Sequence, residues 1–285
     1  MRRRFVTVAV TAVFAASGAT AWGAAAAAPA KASPPQQAQS GVYVALGDSL
    51  AAGYQPGLGD DKTGGYVGGV YQTLRSKHRG AKLVNLARSG ETSVTMIAGG
   101  KCAYAEGSQL AAATKVLAKD KGRVRLVTID IGANDVQTCV TRTGVIDLPC
   151  VQSGLAAVAR NVPTIVRTVR AAAGPQAQIV VLNYYNPFLA VYLLGQVTVA
   201  QQSVGLQAAL NGAIAAGAGA GDAKVADVAT AFKSTDWTPT PTPYGTIPTN
   251  VAMICGYTWM CAKSDIHAND AGYALIATTV RPYVR

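Results

Sequence analysis

The chain has 285 residues, half of them hydrophobic and 14% charged, and its 25 Lys and Arg against 14 Asp and Glu give a formal net charge of +11. That length and apolar share fit one α/β domain with a sizeable buried core. The cations are scattered apart from small groups such as Arg75-Ser76-Lys77-His78-Arg79; with no basic helix and no aromatic-interleaved basic stripe, nucleic acid is excluded as the expected target.

The N-terminus reads as a targeting segment. Arg2, Arg3 and Arg4 precede an apolar run from Phe5 to about Trp22 and a small-residue exit at Ala28-Pro29-Ala30. A positive start, an apolar centre and a small-residue exit describe a secretory signal peptide over residues 1–30, cut after Ala28 or Ala30. Thr7, Thr11, Ser17, Gly18 and Thr20 dilute the run, so a permanent membrane anchor is the poorer reading. Residues 31–40 (KASPPQQAQS) are polar and Pro-rich and are expected to be a disordered leader. The folded domain is expected over residues 41–285, secreted to the extracellular space and monomeric. No later apolar stretch is long enough to span a bilayer. A mildly basic secreted protein would associate at most transiently with a lipid surface.

Short apolar runs of β type then alternate with helical patterns. The β-type runs cover residues 42–46, 82–86, 125–131, 178–182 and, more weakly, 224–228. Helical patterns cover residues 66–77, 108–119, 151–173, 197–216 and 271–280. Pro163 should kink or restart the third helix, and Asp270 is the expected N-cap of the last. Gly/Ala-rich residues 212–221 read as a frayed helix end and loop, and residues 238–248 (TPTPTPYGTIP) as an extended surface loop. Val- and Ile-rich strands alternating with helices predict βαβ units and a parallel sheet buried on both faces. Ligands of such sheets sit at the carboxyl ends of the strands. The first three runs end there in small and polar residues: Gly47-Asp48-Ser49, Ala87-Arg88-Ser89-Gly90 and Gly132-Ala133-Asn134-Asp135.

The cysteines are Cys102, Cys139, Cys150, Cys255 and Cys261. In an exported protein they are expected to oxidise where geometry permits. Local spacing suggests Cys139–Cys150 and Cys255–Cys261 and leaves Cys102 free, although spacing alone does not determine connectivity. The CxxC or His-rich spacings of a metal site are absent, so no metal is expected, and no organic cofactor is implied.

The chain has only two histidines, His78 and His267. His78 lies between Lys77 and Arg79, a basic surface where a proton-accepting imidazole gains nothing. His267, in SDIHANDAGY just before the last helix, is therefore the candidate general base. Ser49 directly follows the first strand, where its hydroxyl can point over the rim with backbone N–H groups nearby. The G-x-S-x-G elbow of the α/β-hydrolases is absent. Taken alone, Gly-Asp-Ser, Gly90 and Asn134 would each pass for turn chemistry after a strand.

Together, in this order, the blocks resemble those of the SGNH hydrolases, the GDSL esterases and lipases. Gly47-Asp48-Ser49-Leu50 matches the first block, Asn85 to Thr92 the second, Gly132-Ala133-Asn134-Asp135 the third, and the segment around His267 the last. The resemblance spans essentially the whole mature chain. It implies a three-layer α/β/α sandwich with a flavodoxin-like parallel sheet of about five strands. It further implies Ser49 as nucleophile, His267 as base, and an oxyanion hole made by the N–H groups of Ser49 and Gly90 and the side-chain amide of Asn134. One departure stands out: the family's acid lies three residues before the histidine, a position held here by Ser264, while Asp265 is two before. Either Asp265 orients His267 through a different local turn, or a backbone carbonyl of Ser264 or Asp265 does so and leaves a dyad. Asp48 and Asp135 are expected to accept hydrogen bonds that fix their loops, and the two cysteine pairs to stiffen the rim.

The expected activity is hydrolysis of carboxylic esters by an acyl-enzyme on Ser49, with lipid-like or other hydrophobic acyl esters favoured by the apolar stretch 186–199. An ordinary helix packed on the sheet explains that stretch equally well. The alternatives are a carbohydrate O-deacetylase of the same fold and an inactive cell-surface binding module of SGNH type.

Overall fold

The computed structural model describes residues 7, 9–13, 41–141 and 145–285. Residues 7 and 9–13 belong to a unit of their own, Met1–Gln37, and form no regular element. The cleavage site and the leader lie outside the described residues. The second unit, Ala38–Arg285, holds everything below.

Its elements run β1 (Val42–Gly47), α1 (Gly65–Lys77), β2 (Lys82–Asn85), α2 (Ser93–Ala98), α3 (Gln109–Lys119), β3 (Val124–Asp130), α4 (Ala133–Gln137) and α5 (Leu148–Ala173). Then follow β4 (Gln178–Leu182), a 3-10 helix (Pro187–Leu194), α6 (Val197–Ala218), β5 (Lys224–Ala226), α7 (Val228–Ala231), β6 (Pro239–Thr242), β7 (Gly245–Pro248), α8 (Thr249–Tyr257), α9 (Met260–Lys263) and α10 (Asp270–Val280). The first five strands form one parallel sheet in the order β2-β1-β3-β4-β5, the flavodoxin-like arrangement. α1 packs on α10, and α5 packs on both α3 and α6, which makes three layers. All residues of β1 and β4 are buried, as strands covered on both faces must be. Each fully buried Ile or Val of this core contributes on the order of 1.5–3 kcal/mol by leaving water.

The strand order reverses between β1 and β3, which lie side by side although α1, β2, α2 and α3 separate them in sequence. A crevice opens at such a switch point, beyond the carboxyl ends of the strands. Ser49 follows β1 there and Asn134 lies on α4, just after β3.

Four local expectations are corrected. Asn269, not Asp270, caps α10: its side chain accepts from the Gly272 N–H at 3.0 Å, which leaves Asp270 in the first turn. Of the two outcomes expected at Pro163, the restart does not occur: α5 runs through it as one helix. α6 stays helical to Ala218 despite its glycines, because Gly217 and Gly221 are buried contacts against α5; a Cβ at Gly217 would lie 2.7 Å from Val162 Cγ1. Residues 239–248 form an antiparallel hairpin, not a loop. Its prolines fall on alternate pairs, Pro239 opposite Pro248 and Pro241 opposite Thr246, the set that an antiparallel ladder can leave without N–H donation.

Candidate active site

The turn after β1 depends on a residue without a side chain. Gly47 has φ +141°, and a Cβ there would lie 2.0 Å from Asp130 Oδ1. Buried Gln109, from α3, grips the same residue twice: its Oε1 accepts from the Gly47 N–H at 2.6 Å, and its Nε2 donates to the Gly47 carbonyl at 2.9 Å. Asp130, at the end of β3, accepts from the Ala51 N–H at 2.9 Å and from the Tyr66 hydroxyl at 3.2 Å. Asp48 accepts from the Leu50 N–H at 3.0 Å and from the Tyr184 hydroxyl at 2.8 Å. Ser49 is thus held in a turn whose neighbours on both sides are tied to the sheet. Burial raises both carboxyls, Asp48 to about 7 and Asp130 well above the usual carboxylate range, and each is pushed further by nearby negative charge.

His267 arrives from the opposite end of the chain. Ser264 adopts the left-handed conformation at φ +52° and ends α9. The chain then turns so that Asp265 Oδ1 lies 3.0 Å from the His267 backbone N–H and 2.7 Å from its ring Nδ1. His267 Nε2 lies 2.8 Å from Ser49 Oγ. With Nδ1–H donating to the carboxylate, Nε2 presents its lone pair to the serine hydroxyl. The segment is braced all round. Trp259 donates its backbone N–H to the His267 carbonyl at 2.9 Å and its indole N–H to Gln55 at 2.6 Å. Tyr185 donates its hydroxyl to the Ile266 carbonyl at 2.7 Å. The Tyr54 ring lies 4.3 Å from the imidazole, centroid to centroid. The Cys255–Cys261 disulfide joins α8 to α9 immediately upstream.

Asn134 lines one cleft with Ser49 and His267. Its Nδ2 donates to the Glu91 carbonyl at 2.9 Å, which leaves its second amide hydrogen uncommitted. Glu91 adjoins Gly90, whose φ of +82° suits glycine. Among the described residues, neither the Ser49 nor the Gly90 N–H donates to a protein acceptor. Asp135 accepts from both the N–H and the hydroxyl of Ser93, at 2.8 and 2.7 Å, and so ties the block after β3 to the block after β2. Cys139–Cys150 is the second disulfide, and Cys102 is free.

The structure therefore brings Ser49, His267 and Asn134 to one cleft, with Asp265 on the far nitrogen of His267 and Gly90 beside the residue that holds Asn134. Sequence reasoning passed over Gln109, Asp130, Tyr184, Tyr185 and Trp259. Asp130 carried a faint signal, a carboxylate within an apolar strand run, and Tyr184 and Tyr185 stand at the polar end of β4.

A hydrogen-bonded Ser–His–Asp relay at the switch point of a flavodoxin-like sheet is the layout of a serine hydrolase. Residues 45–275 match the GDSL-like lipase/acylhydrolase family, and the chain belongs to that family. It is a carboxylic-ester hydrolase of the SGNH type. A search of the curated proteins gave no match. Among solved structures, an acetylxylan esterase from Geobacillus stearothermophilus is similar at 17% identity and TM-score 0.52, over 87% of this chain and 96% of that one. Phospholipase A1 from Streptomyces albidoflavus NA297 is similar at 20% identity and TM-score 0.48, over 76% and 99%. An extracellular lipase from Streptomyces rimosus is similar at 22% identity and TM-score 0.48, over 76% and 99%. At such identities the likeness to the acetylxylan esterase is one of fold.

Proposed function

We propose that the protein is an exported serine esterase that cleaves carboxylic esters with apolar acyl groups through an acyl-enzyme on Ser49. The observation that carries this reading is the unbroken relay Ser49 Oγ, His267 Nε2, His267 Nδ1 and Asp265 Oδ1, with steps of 2.8 and 2.7 Å. His267 takes the serine proton as Oγ attacks the ester carbonyl. Negative charge builds on the carbonyl oxygen and is met by the N–H groups of Ser49 and Gly90 and the free amide hydrogen of Asn134. Loss of one such donor costs about 3 kcal/mol of barrier. Asp265 holds the ring and stabilises the imidazolium. His267 then gives its proton to the departing alkoxide, and a water repeats the sequence to release the acid.

The apolar preference is supported by the walls of the cleft, which include Leu50, Val136, Pro187, Phe188 and Leu210. An acetyl-sized pocket, as a carbohydrate deacetylase needs, would not require them. Export is supported by the two disulfides and by the composition of residues 1–30. The test is hydrolysis of p-nitrophenyl esters from acetate to palmitate. Ser49→Ala is expected to lower kcat by about 10^4-fold or more; a variant as active as the parent would remove Ser49 from the mechanism.

A further inference from the structure

Three contiguous hollows meet at Phe188. The first is the central cleft with Ser49, Asn134 and His267. The second is a chamber between Val140 and Ile146, α5, α6 and the 3-10 helix; all its lining side chains except Ser203 and Gln207 are apolar. Ser203 donates to the Ala200 carbonyl and accepts from Asn186, and Gln207 donates to Asn211. The third hollow has a mixed lining that includes Gln137, Asp265 and His267 beside Val140, Val191 and Met260. Phe188 lines all three, Val136, Gln207 and Leu210 are shared by the cleft and the chamber, and Val140 and Val191 stand between the chamber and the third hollow.

We infer that this branched site sorts the two halves of the ester: the apolar chamber takes the acyl chain, the arm beside Asp265 takes the alcohol, and Phe188 partitions them. The inference rests on the proposed Ser49 mechanism and follows from where the proton must go. The oxygen of the departing alcohol has to receive its proton from His267 Nε2, so the alcohol leaves on the side that the imidazole lines. His267 lines the cleft and the third hollow but not the chamber. The acyl group, bound to Ser49 after the alcohol departs, is left with the other branch. That branch excludes water from an aliphatic chain at the usual gain of about 0.8 kcal/mol per buried CH₂. Part of its outer wall is the bridged pair Val140 and Ile146. Ile146 and Leu206 also line a surface depression with Leu148, so the chamber continues outward for longer chains.

The test fills one branch at a time. Val199, in the first turns of α6, and Ile146 are partly exposed chamber walls. Val199→Trp, and independently Ile146→Trp, are expected to lower kcat/KM for p-nitrophenyl octanoate by about tenfold or more. Acetate hydrolysis should stay within about twofold in the same variants, which also reports that they fold. Met260→Trp, in the arm beside Asp265, is expected to leave the acyl-length profile unchanged and to penalise glyceryl over methyl butyrate. Equal losses on acetate and octanoate in both chamber variants, or a change confined to the alcohol series, would overturn the assignment. Ser49→Ala is run alongside. If it is inactive while the chamber variants keep the parent's profile, only the sorting fails. If it hydrolyses esters like the parent, the mechanism fails and the sorting with it.

Discussion

At the scale of single residues, the acid two positions before His267 is the point of greatest interest. Ser264 occupies the place three positions before and adopts the left-handed conformation. The tightened turn lets one oxygen of Asp265 reach both the ring and the backbone of His267. Asp265→Ala should lower kcat on the order of 10^3-fold with little change in KM, because only the transition state demands an oriented, positively charged ring. If steady-state kinetics show a loss below about tenfold, a backbone carbonyl is sufficient to orient the ring. Gly47 poses a different kind of requirement. Its Cβ would displace Asp130, so Gly47→Ala should destabilise the fold by about 3 kcal/mol in chemical denaturation, as overpacking at a strained φ does. Wild-type stability in that variant would mean that Asp130 can move at no cost.

At the scale of elements, legibility followed locality. Ser49, Gly90 and Asn134 could be picked out because each follows its strand within a few residues, in a turn pattern that the chain states locally. Gln109 and Asp130 could not, because their partners lie 62 and 79 residues away. Nothing near Gln109 in α3 says that its amide will pair with the backbone of Gly47. The hairpin at residues 239–248 was hidden for another reason: Pro239, Pro241 and Pro248 read as strand breakers until their pairing register shows them sharing the non-donating positions. The cap of α10 lies one residue before the expected Asp270, and because Asn and Asp cap helices about equally well, composition does not separate the two. The disulfide between α8 and α9 closes a short loop just before the histidine segment. Replacing both Cys255 and Cys261 by Ser should cost about 2 kcal/mol, read as a lower thermal midpoint.

At the scale of the whole molecule, two acids stand in the core beneath the nucleophile turn. Asp48 and Asp130 are both buried, and burial raises both. A carboxyl whose folded value is raised stabilises the fold most below its unfolded value of about 3.9, and that contribution is lost as pH rises through the folded value. Stability should therefore fall between about pH 4 and pH 7, by on the order of 1.4 kcal/mol per pH unit for each proton retained by the folded state. Asp48→Asn keeps an acceptor for the Leu50 N–H, supplies a donor for the Tyr184 oxygen, and removes the charge that presses on Asp130. Its denaturation midpoint should vary less between pH 5 and pH 8 than that of the wild type. Parallel profiles in the two proteins would show that the acids titrate alike folded and unfolded.

The shared oxygen of Asp265 has one more consequence. Acid and base sit in a single short turn, so the pair behaves as a cassette: any drift of the segment carries both together. Within the relay, the one registration between distant segments is the contact between His267 and Ser49, 218 residues apart. A relay whose acid came from a distant element would need two such alignments, and two chances to lose one.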